Sequence, residues 1–131
     1  MGDFVTAYAL LADFLPGVGF AKVCRGVPAN LSHAIPLVTV ARFGGVDTTE
    51  TLDRPRVQVD VYASTDDRAE ELAGQLRTAM RTKLPKYTFG GAVVGRVGTI
   101  MAPQLVPYSA SGVFKATARY ELVIHQYTGI G

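Results

Sequence analysis

At 131 residues the chain fits one domain, residues 1–131, because a domain of this size buries roughly two thirds of the surface its unfolded chain would expose. Its 13 Lys and Arg stand against 11 Asp and Glu and are spread along the chain, so composition does not announce the concentrated basic face of a nucleic-acid binder. Cys24 is the single cysteine, which excludes an internal disulfide and a paired-thiol zinc site and suits a reducing compartment.

Residues 4–15 are apolar, but they follow Asp3, lack a positive leader and include Asp13, so they read as an amphipathic helix and not as a signal peptide. Asp3 is the candidate N-cap. Phe4, Tyr8, Leu11 and Leu15 recur at helical spacing, and Pro16 and Gly17 stop the helix. No apolar run approaches the roughly 20 residues that cross a bilayer. Residues 20–27 and 36–43 are two short valine-rich strand candidates separated by a loop, "PANLSHAIP". "GGVDTTETLDRP" follows without helical or strand period and reads as a long exposed loop, a kind of segment that is often functional in a compact domain.

Val57, Val59 and Val61 alternate with Gln58, Asp60 and Tyr62, the pattern of a strand with one face in a core. Ser64 or Thr65 caps the next helix, where Asp66, Asp67, Glu70 and Glu71 complement the positive end of the helix dipole and Arg77, Arg81 and Lys83 the negative end. Ala69, Leu72, Ala73, Leu76 and Met80 form its apolar stripe, so this helix lies flat on a sheet, and Pro85 ends it. The strand passes into the helix with none of the glycine-rich loop that a nucleotide site places at such a junction.

Two extended segments, 92–106 and 112–126, are joined by "PYSASG", a connection suited to a hairpin. In the second, Phe114, Ala116, Ala118, Tyr120, Leu122 and Ile124 share one face, and Lys115, Thr117, Arg119, Glu121 and His125 share the other. So long a strand implies a bulge, or an end that leaves the domain and pairs with a neighbour. The expected fold is α+β: a mainly antiparallel sheet with two helices packed on one face and a long C-terminal β-hairpin.

Catalytic patterns do not emerge. His33, His125 and Cys24 have no metal-ligand spacing, Cys24 reads as a small buried apolar residue, and no paired general acid and base accompanies Asp60. Gly90, Gly91, Gly95 and Gly98 precede a strand rather than a helix and lack the Lys-Ser or Lys-Thr ending of a phosphate loop; hairpin turns and bulges explain them better. No enzyme activity, cofactor or metal is expected. The central loop and the polar face of the last strand remain, and such surfaces suit contacts between protein subunits.

The order of parts resembles the tail terminator family of long, non-contractile-tailed bacteriophages, also called tail completion or minor tail proteins. The resemblance is carried by "LADFLPG", "PLVTVARFGG", a polar loop, "DRPRVQVDVYAS" leading into "DRAEELAGQLRTAM", and "GVFKATARYELVIHQ". It implies a structural virion protein without catalysis. Such a protein assembles as a ring, usually a homohexamer, on the end of the tail tube, stops tube polymerisation and offers a docking surface to the head-tail connector. The implied partners are further copies of the chain, the major tail tube protein, the connector, and DNA that passes through the channel without specific binding; no membrane is involved. The implied place is the virion tail, assembled in the host cytoplasm.

Position and exposure nominate Lys115, Arg119, Glu121 and His125 for subunit contacts. Asp47, Glu50, Asp53 and Arg54 in the central loop, with Pro107 and Tyr108 at the hairpin, are nominated for axial contacts to tube or connector. Two alternatives stand beside this reading: a head completion or neck protein of similar build, and a small α+β enzyme or ligand-binding domain with its site under the central loop.

Overall fold

The computed structural model describes residues 5–49, 51–108 and 112–126. Helix α1 (Ala7–Phe14) begins at Thr6, whose hydroxyl accepts the Ala9 N–H at 3.1 Å, which satisfies a donor left free in the first helical turn. The expected cap, Asp3, lies outside the described residues, as does Phe4. Leu10, Leu11, Phe14 and Leu15 are buried. A 3-10 turn, Leu15–Val18, then closes on Gly19 at φ 106°.

The strand expected over 20–27 contracts to β1 (Val23–Cys24), which pairs in parallel only with Val38 and Thr39. The loop after it contains a short helix, α2 (Leu31–Ala34), which carries His33.

The long exposed loop expected over 44–54 is instead a β-hairpin: β2 (Leu37–Thr49) and β3 (Leu52–Ala63) pair from Leu37 opposite Tyr62 to Thr49 opposite Leu52. Two extra residues in β2, Phe43 and Thr48, sit at shifts in the register. Each bulge inverts the alternation of side chains, so a paired strand loses its period of two and its polar sequence reads as a loop. Pro55, which has no N–H to donate, stands where the ladder from β3 to its other neighbour skips Arg54 and Pro55.

Helix α3 (Asp66–Thr82) is capped by Thr65, whose hydroxyl accepts the Arg68 N–H at 3.1 Å. It buries the expected stripe together with Ala79. Strands β4 (Thr88–Phe89) and β5 (Ala92–Val106) meet at Gly90 and Gly91, both at positive φ, which glycine adopts without the steric cost of a Cβ. Strand β6 (Phe114–Gln126) is unbroken. The bulges lie in its partner, where β5 carries extra residues between Val94 and Arg96, between Thr99 and Met101, and between Met101 and Gln104.

The sheet order is β1-β2-β3-β6-β5-β4, antiparallel except for β1 with β2. The fold is therefore α+β. Helices α1 and α3 cover one face, where Val38, Val40, Val57, Val59, Val61, Ala118, Tyr120, Leu122 and Ile124 join their apolar stripes in one core. On the other face, at one end, Leu31 of α2 packs with Leu37, Tyr62 and Val113 in a smaller cluster.

Candidate functional site

The face opposite α1 and α3 carries a ladder of polar side chains. Antiparallel pairing places Tyr62 opposite Lys115, Asp60 opposite Thr117, Gln58 opposite Arg119 and Arg56 opposite Glu121; residues directly opposite share a face and lie within reach of each other. Lys115 Nζ stands 3.6 Å from Asp60 Oδ2. Gln58 Nε2 donates to Asp60 and its Oε1 accepts from Arg119 Nε at 3.1 Å, while Arg56 Nε meets Glu121 Oε2 at 3.3 Å. The Arg119 guanidinium lies 5.0 Å from the ring of Phe43, a residue the bulge leaves 44% exposed.

Of the residues nominated for subunit contacts, Lys115, Arg119, Glu121 and His125 do fall on this one face. Lys115 and Glu121 are half-buried in ion pairs within the chain, whereas Arg119 and His125 are exposed. A Cβ on Gly95 would come within 2.9 Å of His125 Nε2, so the bare backbone of β5 makes room for the imidazole. Phe114 shares the apolar face of β6 as expected but is 41% exposed, at the end of the sheet.

The residues nominated for axial contacts separate into two groups. Pro107 and Tyr108 follow β5 at the end where Val106 faces Lys115 and Ala63 faces Phe114. There the Tyr62 and Tyr108 rings meet edge to face at 5.3 Å, and Lys115 Nζ lies 5.7 and 5.8 Å from their centroids. Asp47, Asp53 and Arg54 belong to the β2–β3 tip at the opposite end, near Leu52 opposite His125; Glu50 lies outside the described residues. Asp53 is 3% exposed. It accepts two hydrogen bonds from Arg42 inside the chain, so its carboxylate is already committed. Arg54 is half-buried, and its Nε has no hydrogen-bond partner.

Sequence reasoning missed the sheet edges, since strand order cannot be read from local pattern. Among the described residues β1 covers β2 only at Val38 and Thr39, and β4 covers β5 only at Ala92 and Val93, apart from the backbone bonds of Lys86 and Tyr87 to Val94. Among the described residues the remaining lengths of β2 and β5 have no further strand partner and form edges on opposite sides of the sheet. Along β5, Ile100 is 48% and Leu105 39% exposed.

A groove of about 580 Å³ runs between α1 and β2, bordered by Tyr8, Arg25, Arg42 and Asp53, and Arg25 stacks 4.3 Å over the Tyr8 ring. An apolar pocket of about 280 Å³ lies beneath Phe20, Leu37, Val61 and Leu72. Neither assembles a nucleophile with a base, and the described residues contain no group of three or more His, Cys, Asp or Glu arranged to hold a metal. No helix among the described residues is long and apolar enough to cross a membrane.

The family model described as "Phage tail termination protein" matches residues 5–110, a span that takes in every element from α1 to β5. Strand β6, which fills the middle of the sheet, lies beyond the match. No curated protein matches the chain.

Proposed function

Because the chain belongs to the phage tail termination protein family, a family of structural tail proteins and not of enzymes, we propose that copies of it close into a ring, six in number, on the end of the tail tube. The ring stops tube polymerisation and presents its far side to the head-tail connector. It works as part of the virion tail after assembly in the host cytoplasm, and DNA passes through it without sequence-specific contact.

The observation that carries this reading is the placement of the two hairpin tips. The β2–β3 tip and the β5–β6 tip lie at opposite ends of one sheet, separated by about 36 Å at roughly 3.3 Å per residue. A terminator has two different axial neighbours, and a rigid sheet with one tip at each end can engage both. Arg54 with Asp47 at one tip, and Pro107 and Tyr108 at the other, are the proposed contacts.

Laterally, a ring needs a heterologous interface, with two different patches on each copy. The free edges of β2 and β5 lie on opposite sides of the sheet and supply such a pair. The polar ladder with Lys115, Arg119, Glu121 and His125 lies between them.

The test is tube capping in vitro with purified tube protein, together with native mass in solution and on tubes. The expected result is tubes of arrested length bearing one ring of six copies. Replacing residues 107–112 by a short glycine linker should retain the fold and abolish either capping or connector docking. Retention of both activities would remove the β5–β6 tip from the contact, and a strictly monomeric protein that caps nothing would defeat the reading as a whole.

A further inference from the structure

The near-neutral balance of the chain conceals an uneven distribution. On the open sheet face, toward the β2–β3 tip, four arginines gather around one carboxylate among the described side chains, Glu121, with Asp60 held one rung further along by Gln58 and Lys115. Arg56 shares that carboxylate, Glu121, through one contact of 3.3 Å. Among the described residues Arg119 has the neutral Gln58 as its hydrogen-bond partner. Arg96, exposed on β5, lies opposite Val123, on the far side of the ladder from the buried Leu122 and Ile124, and Arg54 keeps a buried Nε without a partner.

From these positions we infer that this quarter of the sheet is a contact surface for the phosphate backbone of duplex DNA, engaged without regard to base sequence. Arg54 and Arg56 are spaced by two residues of β3, about 7 Å, and Arg96 lies two strands away, about 10 Å from that line. Guanidinium groups spread at these intervals over an open surface match a line of phosphates better than they match one carboxylate, and the planar fork of arginine binds phosphate oxygens in pairs. Gly98 leaves the floor low, since a Cβ there would meet nothing within 4 Å, whereas the His125 imidazole fills the space over Gly95. A protein partner of ordinary size would require an apolar centre. Among the described residues Phe43, itself stacked on Arg119, is the large exposed apolar side chain beside these arginines, and Ile100 lies out on the β5 edge between the partners of Tyr120 and Arg119.

The inference goes beyond the ring reading, which asks only that DNA pass freely. It concerns weak contacts that slide, each phosphate neutralised releasing condensed counterions.

The experiment is fluorescence anisotropy of a labelled 20-base-pair duplex with the full-length protein between 20 and 200 mM salt, with native mass measured on the same sample. Binding should weaken steeply with salt, the slope of log K against log salt lying near −3, or about 0.9 per phosphate contact. It should be the same for two unrelated sequences. Arg96→Gln, at an exposed position that leaves the fold alone, should reduce the slope by about 1, and Arg119→Gln likewise. Arg81→Gln on α3 should change nothing.

The inference is overturned by absent binding, by equal losses from Arg81→Gln and the face variants, or by poly-glutamate competing as well as DNA at equal charge, which would mark the face for an acidic protein. A monomer that binds DNA through this face would defeat the ring and keep the inference; a ring that ignores DNA would do the reverse.

Discussion

Arg42 and Asp53 lock together through two hydrogen bonds, of 2.9 and 3.0 Å, although neither lies opposite the other in the register: Arg42 faces Val57, and Asp53 faces Asp47. The guanidinium reaches along the hairpin past the bulge at Phe43, and its Nε also donates to the Gly44 carbonyl. The pair therefore ties the β2–β3 tip to the body of the sheet. Asp53→Ala should cost roughly 1.5–3 kcal/mol, the range for hydrogen bonds to charged groups. The low end is expected because Arg42 is partly solvated. Hydrogen exchange at Val46 and Arg54 should quicken while the α3 amides keep their protection. Uniform loss of protection across the whole chain would show that the pair supports the global fold and not the tip.

A second handle on the same tip is Gly45, at φ 103°, where an added Cβ would come within 2.1 Å of the Arg54 carbonyl oxygen and 2.8 Å of Pro55 Cα. Both obstacles are backbone, so they yield only if the strands separate. Gly45→Ala should destabilise by more than the roughly 1 kcal/mol of an ordinary left-handed alanine, and circular dichroism should show the upper hairpin lost before α3 melts. Gly98→Ala on β5 meets no atom within 4 Å and should shift the melting temperature by only a degree or two. Equal effects from the two substitutions would refute the close approach.

What sequence could and could not disclose follows from the same bulges. The strand through Val57, Val59 and Val61 and the stripe of α3 were legible because nothing interrupts their periods. The hairpin over 44–54 was not, because Phe43 and Thr48 each invert the alternation and because its polar residues serve each other, as Asp53 serves Arg42. Lys115, Arg119, Glu121 and His125 could be grouped on one face of β6 from their spacing. That Arg54 and Arg96 join the same face depends on β6 entering between β3 and β5, a long-range pairing that no local pattern encodes.

Tyr120 is fully buried in the core, and its hydroxyl finds no hydrogen-bond partner. Burial pushes its ionisation up to about 12, against about 10 in an unfolded chain. The sign follows: the native state holds the neutral phenol, so the contribution is complete below pH 10 and is lost as pH rises through 12. In that window the unfolded chain sheds a proton that the native state keeps, and stability falls by up to about 1.4 kcal/mol per pH unit. Burial raises Tyr62 in the same direction. Tyr120→Phe should leave the melting temperature at pH 7 unchanged or raise it by a few degrees, since an unpaired buried hydroxyl is removed, and should flatten the alkaline limb. A marked fall in stability at pH 7 would mean that the hydroxyl is satisfied after all.

The free edge of β5 offers the cleanest separation of fold from assembly. Ile100 and Leu105 are among the most exposed large apolar side chains of the described residues, and they lie on a strand whose three bulges and Pro103 discourage continuous pairing with another edge. In the proposed ring, contact between copies along this strand would rest on side chains more than on a backbone ladder, so charge at these positions should act strongly. Ile100→Lys and Leu105→Lys each remove little buried area within one copy and should change monomer stability by no more than about 0.5 kcal/mol. Brought together on one strand, they should prevent ring closure by placing two unpaired ammonium groups in a desolvated contact. Native mass spectrometry of the double variant should show single copies with an unaltered melting curve. Rings that persist would shift the lateral contact away from β5, and a collapsed melting curve would show that these side chains serve the fold of a single copy.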